Sequence, residues 1–64
     1  GLYRFEGTRR RSGIYGRLAV YLGEAFIHRD DGVTVENHKV LLIGASKPTI
    51  IDRGLLCHMT PEGT

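Results

Sequence analysis

The residues with the most distinctive chemistry lie in the first third of the chain, where Arg9, Arg10 and Arg11 are followed by Tyr15 and Arg17. Guanidinium groups make planar two-point contacts with phosphates, and aromatic rings offer faces on which unpaired bases stack. Charge beside aromatic rings is typical of a site for single-stranded RNA or DNA. The alternative interpretation is a solvated basic loop that keeps a β-rich protein soluble.

The uneven distribution of charge along the chain, and not the small net charge, indicates an acidic partner. The formal net charge is only +2. However, residues 1 to 20 hold five arginines against one glutamate, whereas the remaining 44 residues hold four cations against six carboxylates. This asymmetry predicts a nucleic acid, or alternatively an acidic protein, as the partner of the basic third.

Metal-binding and catalytic patterns are weak. His28, His38, Cys57 and His58 include no Cys-x2-Cys or His-x3-His spacing of the kind that anchors a structural zinc ion. Adjacent side chains on a strand point to opposite faces, so Cys57 and His58 do not indicate a catalytic pair. We therefore expect no metal, no cofactor and no enzymatic activity in the isolated chain, with Cys57 in the core and the histidines at turns and on the outer surface.

The segment from Ala25 to Glu36 predicts a β-hairpin. A three-residue loop over Asp30-Asp31-Gly32 pairs Ile27 with Val35 and His28 with Thr34, whereas a two-residue loop mixes polar and apolar residues on both faces. A one-residue slip exchanges the faces, so the register that separates them is favoured. Gly32 then takes the left-handed conformation that this loop requires. The apolar face holds Ala25, Ile27, Val33 and Val35, and Phe26 lies on the polar face.

Alternating residues predict further strands over 2–8, 14–22 and 39–43. Gly23-Glu24 predicts either a tight turn or one long bent strand, and Asn37-His38 predicts a turn. In the last third, 49–52 and 55–59 are expected to be strands. The alternative there is a helical turn over 47–53, capped by Ser46 and closed by Gly54.

The pattern as a whole predicts an all-β fold. Nine glycines interrupt the chain, and no long segment has helical periodicity. Five or six short strands indicate a small antiparallel barrel or sandwich of the SH3-like or OB-like kind. We expect one domain over residues 1–64, with 60–64 as a flexible tail.

The short length of the chain limits the stability that it can reach as a monomer. A chain of about 60 residues buries only about 60% of its unfolded surface, and the lone Cys57 allows no internal disulfide. We therefore expect self-association, and a reduced thiol suits the cytoplasm. No apolar run is long enough to span a membrane.

Two functions follow from these features. The first is a small basic β-barrel that binds single-stranded nucleic acid through Arg9, Arg10, Arg11, Arg17 and Tyr15. The alternative is a protein-interaction or assembly subunit that oligomerises, or completes a larger protein, through its edge strands.

Overall fold

The computed structural model describes residues 1–7 and 13–63, and these form one open antiparallel sheet with a single helical turn. Across the sheet the strand order is β4-β3-β2-β1-β5, so β4 and β5 are its edges. The all-β prediction is confirmed. The elements in chain order are β1 (Leu2–Phe5), β2 (Leu18–His28), β3 (Thr34–Leu42), β4 (Thr49–Asp52), α1 (Arg53–Leu56) and β5 (Met59–Pro61).

The hairpin between β2 and β3 has the predicted register. Ile27 is opposite Val35, and His28 is opposite Thr34. The Arg29 amide donates to the Val33 carbonyl at 2.8 Å, and the Gly32 amide donates to the Arg29 carbonyl at 3.0 Å. Gly32 has a φ of 87°, so the three-residue loop with a left-handed glycine is confirmed.

A bulge at Leu22 makes β2 one long bent strand, which is one of the two arrangements expected at this corner. The register shifts between Tyr21 and Gly23. An extra residue in one strand exchanges the faces of everything beyond it. Ala19 and Tyr21 lie on the face that holds the core, here called the inner face. Past the bulge, the residues on the inner face are Glu24, Phe26 and His28.

The apolar residues of the hairpin therefore lie on the opposite side of the sheet, the outer face, together with Val20 and Leu41. The hairpin also extends past the packed centre, since Phe26 on its inner face is 57% exposed. The molecule is correspondingly elongated, with a longest dimension of 39 Å.

The predicted turn at Asn37-His38 is wrong, because β3 runs straight through both residues. His38 is paired on both sides, with Glu24 of β2 and with Ile51 of β4. Pairing with two neighbouring strands outweighs the turn preference of the Asn-His sequence.

The last third contains one correct and one wrong strand prediction. Thr49–Asp52 is a strand, but 53–56 is a helical turn, and the next strand begins only at Met59. Asp52 causes the change, because its Oδ1 accepts a hydrogen bond from the Leu55 amide at 2.7 Å and caps α1. The alternative helix over 47–53 is also wrong. Cys57, expected in the core, follows this turn and is exposed.

The two chain ends meet in the sheet. The sequence predicts no regular structure over 60–64, whereas Thr60 and Pro61 belong to β5 and pair with β1. The Glu62 amide continues this contact by donating to the Leu2 carbonyl at 3.0 Å. The unpaired edge of β1 supplies these backbone partners, which outweigh the disordering effect of proline and glycine.

The core on the inner face is small. Its buried hydrophobic residues are Phe5, Ile14, Ala19, Val40 and Ile51. Leu55 and Leu56 of α1 and Met59 of β5 pack against it while half-buried. Such a core gives a modest hydrophobic driving force. No helix within the described residues is long and apolar enough to cross a lipid bilayer.

Candidate functional site

The predicted nucleic-acid site centres on the connection between β1 and β2. Arg9, Arg10 and Arg11 lie outside the described residues, whereas Tyr15 and Arg17 are placed. The connection closes on itself: the Phe5 amide donates to the Arg17 carbonyl at 3.1 Å, and the Gly16 amide donates to the Phe5 carbonyl at 2.8 Å. The described residues on the two sides of residues 8–12 therefore meet beside Phe5 and Arg17.

Tyr15 holds the two ends of this connection together. A Cβ atom at Gly7 would clash with the Tyr15 ring, so the ring lies directly on the Gly7 backbone. Tyr15 also makes an edge-on contact with the His58 ring, with the centroids 5.5 Å apart. The side chain is half-buried. Packing thus occupies part of the ring, and only the remainder is accessible for stacking with a base.

The guanidinium of Arg4 makes hydrogen bonds within the protein. Its Nε and Nη2 donate to the two carboxylate oxygens of Glu62 at 3.0 and 2.9 Å, and its Nη1 donates to the Gly16 carbonyl at 2.9 Å. These hydrogen bonds hold the pKa of Glu62 below its ordinary value. Arg4 therefore fastens the returning end of the loop to the C-terminal residues.

Arg17 is exposed at the same end of the sheet. Its Nη2 makes a long hydrogen bond of 3.4 Å to the Ile43 carbonyl. A guanidinium has five N–H donors, so this bond leaves most of the donor capacity of Arg17 for a phosphate.

A second cluster of functional groups lies on the inner face of β2 and β3. The Tyr21 hydroxyl and His38 Nδ1 form a hydrogen bond of 2.9 Å. His38 Nε2 is 3.1 Å from Glu36 Oε2. The two atoms are close but not aligned as donor and acceptor, since Nε2 has no hydrogen-bond partner among the described residues. His38 is only 4% exposed, which contradicts its expected place at a turn.

A cavity of about 270 Å³ opens beside this cluster, lined by Tyr3, Tyr21, Leu56 and Met59. Tyr3 is opposite Ala19, so Tyr3 and Tyr21 are diagonal neighbours on adjacent strands, a spacing that aromatic side chains bridge. Leu56 reaches the cavity from α1, and Met59 reaches it from β5. All four side chains are half-buried, so the cavity is open to solvent.

The sequence did not identify this cavity. Alternation within each strand places Tyr3 with Phe5 and Tyr21 with Ala19, but it does not give the register between β1 and β2. The alternation Glu36, His38, Val40 was a usable signal, because it continues the strand through the predicted turn and places His38 on the same face as a core valine.

Neither a metal centre nor a relative accounts for these clusters. In residues 1–7 and 13–63, no group of three or more His, Cys, Asp or Glu side chains is arranged to hold a metal ion. Comparisons with protein-family models, with curated proteins and with solved structures found no match to this chain.

Proposed function

We propose that the protein binds single-stranded nucleic acid through the connection between β1 and β2. One observation supports this proposal above the others: Tyr15 packs on Gly7, and Phe5 makes backbone hydrogen bonds to Gly16 and Arg17. The described residues that flank the arginines in sequence are thereby brought together beside Arg17. Cationic side chains that lie close together can neutralise neighbouring phosphates along a nucleic-acid strand.

The contacts of Arg4 exclude it from the proposed set of phosphate-binding residues. Arg4 is neutralised by Glu62 and bonded to the Gly16 carbonyl, so its role is to position the loop. The proposed phosphate contacts are therefore Arg9, Arg10, Arg11 and Arg17. Tyr15 contributes the accessible part of its ring as a stacking surface.

The test is fluorescence anisotropy with a labelled single-stranded oligonucleotide, titrated at several salt concentrations. Each phosphate contact on a single strand contributes about −0.7 to the slope of log K against log salt concentration. Replacing Arg9, Arg10 and Arg11 by alanine is therefore expected to flatten this slope by about two units. It is also expected to weaken binding to all sequences alike.

A matched variant distinguishes the loss of a specific phosphate-binding site from a general loss of positive charge. Replacing Arg29, Lys39 and Arg53 by alanine also removes three positive charges, but from the hairpin loop, β3 and α1. This variant is expected to change the slope much less. If both triple variants flatten the slope equally, the binding is a general charge effect. If the native protein does not bind at about 50 mM salt, where phosphate contacts are strong, the proposal fails.

The second candidate function is assembly through an edge strand, and the difference between the two edges supports it. β5 includes Pro61, which has no amide to donate and therefore blunts that edge. β4 has no proline, and its Ile50 is 46% exposed. An added strand from a second chain would therefore pair with β4.

We also propose a small barrel of the SH3-like kind as the finer description of the fold. Four strands follow one another as neighbours, β5 returns beside β1, and a helical turn precedes β5. This arrangement supports SH3-like over OB-like, because an OB-fold has Greek-key connections. Closure of the barrel would bring β4 and β5 together.

A further inference from the structure

We propose that the cavity between Tyr3, Tyr21, Leu56 and Met59 binds an alkylated ammonium group, presented by a methylated lysine side chain of a partner protein. This inference concerns the inner face of the sheet. It does not depend on nucleic-acid binding by the arginine-rich connection.

The walls of the cavity suit an organic cation. Two tyrosine rings line it from adjacent strands, and the face of an aromatic ring attracts a cation within about 6 Å of its centre. Met59 adds a polarisable thioether, and Leu56 adds an apolar surface for the alkyl stem of a long side chain. The volume of about 270 Å³ is just below the range of about 300 to 1,000 Å³ that drug-sized ligands occupy. It fits the end of one side chain.

The charge around the cavity is complementary to a cation. Glu24 is opposite His38 on the inner face, and Glu36 is two residues from His38 on the same face. Glu36 is connected to the cavity wall through His38, which contacts both the Glu36 carboxylate and the Tyr21 hydroxyl. Burial raises the pKa of Tyr21, and the nearby carboxylates of Glu24 and Glu36 raise it further.

The scarcity of hydrogen-bond acceptors favours an alkylated group over a primary ammonium. A lysine ammonium has three N–H donors that need acceptors. Of the four lining side chains, only those of Tyr3 and Tyr21 have a strong acceptor, and the Tyr21 hydroxyl already bonds to His38. The cavity wall is therefore poor in acceptors for three N–H donors. A fully methylated ammonium keeps the positive charge and has no N–H donor. It therefore enters the cavity with a smaller desolvation cost.

The test uses choline as the probe and 3,3-dimethylbutan-1-ol as its uncharged analogue of nearly equal shape. Met59 is the only methionine in the chain, so its methyl resonance in a proton–carbon NMR spectrum reports on the cavity without ambiguity. Choline is expected to produce a saturable shift of this resonance, with the alcohol binding several-fold more weakly. Equal affinities, or no saturable shift with choline, would overturn the proposal.

Variants locate the binding. Tyr3→Leu is expected to weaken choline binding about two- to thirtyfold, the range for loss of one cation–ring contact. Glu36→Gln is also expected to weaken choline binding, because it removes one negative charge while keeping a side chain of nearly the same size. Asp30→Asn removes a carboxylate at the hairpin loop and is the matched control. If Tyr3→Leu does not fold, the comparison of Glu36→Gln with Asp30→Asn decides, and equal effects of these two would contradict the proposal.

The source of the ammonium group is tested with the same Met59 signal. A peptide with trimethyllysine, the same peptide with unmodified lysine, and phosphatidylcholine vesicles are compared. Preference for the trimethyllysine peptide supports a protein partner. Binding to the vesicles without binding to the peptide, or tighter binding of unmodified lysine, would overturn the proposal.

Discussion

Arg4 and Glu62 form the best-defined polar contact at the scale of single residues. The guanidinium meets both carboxylate oxygens at 2.9 and 3.0 Å, in the two-point geometry that makes arginine–carboxylate pairs strong. Both side chains are about one-third exposed, so solvent screens the pair. Its importance lies in position, because it joins the end of the loop at Gly16 to the residues after β5.

This pair predicts an acid-sensitive component of stability. The pKa of Glu62 is lower in the folded protein than the ordinary value of 4.5, so the folded state favours the ionised form. Its contribution is therefore complete above about pH 4.5 and is lost as the pH falls through the folded pKa. Glu62→Gln is expected to lower the urea midpoint at neutral pH and to have a smaller effect at about pH 3.

The comparison requires native and variant midpoints at both pH values. Asp30→Asn is the control, since Asp30 is an exposed residue of the hairpin loop. An equal loss of stability from Glu62→Gln at neutral and acidic pH would show that the ionised carboxylate is not responsible.

At the scale of elements, the β2–β3 hairpin depends on one glycine. Gly32 has a φ of 87°, and a Cβ atom there would meet nothing within 4 Å. Any cost of substitution is therefore backbone strain and not a steric clash. Gly32→Val is expected to destabilise the protein by about 1 to 3 kcal/mol, because a β-branched residue is strained at positive φ.

Gly32→Asn is the matched variant, because asparagine tolerates the left-handed region better than valine does. Chemical denaturation of the three proteins is expected to rank glycine as the most stable, then asparagine, then valine. Equal midpoints for the valine and asparagine variants would mean that strain at Gly32 does not limit the stability of the hairpin.

Elements specified by local sequence were predictable, whereas those set by pairing between distant strands were not. Asp31 and Gly32 encode their own turn, and the Asp31 Oδ1 accepts from the Val33 amide at 3.1 Å. By contrast, β3 continues through Asn37-His38 because β2 and β4 pair with it on both sides. The cavity between Tyr3 and Tyr21 likewise depends on the register between β1 and β2, which no local pattern contains. The Asp52 cap of α1 was a local signal that strand-like Thr49-Ile50-Ile51 obscured.

At the scale of the whole molecule, the outer face combines an exposed apolar surface with a small core on the other side. Leu2, Val20 and Leu41 form one row across β1, β2 and β3. Leu2 and Ile50 of β4 are among the exposed large hydrophobic residues. An apolar surface of this kind on a small domain is typical of an interaction site.

We expect the protein to self-associate and its stability to rise with protein concentration, because association stabilises the folded form by mass action. Sedimentation equilibrium and thermal unfolding at several concentrations test this together. Ile50→Lys is expected to reduce association, since a charged residue on an edge strand opposes pairing. Leu22→Lys introduces the same charge at the exposed bulge of β2 and is the control. A monomer with concentration-independent unfolding at about 100 μM would contradict this coupling of folding to association.

β1 lies between β2 and β5, so the first strand of the sheet is completed by the last, and Arg4 contacts Glu62 across 58 residues of sequence. Closing so long a loop costs more entropy than closing the three-residue turn of the hairpin. The hairpin can therefore form within about 1 to 10 μs, whereas β1 keeps an unpaired edge until β5 arrives. During synthesis on the ribosome, that edge stays open until Met59 to Pro61 have emerged, and for this interval it is exposed to strands of other nascent chains.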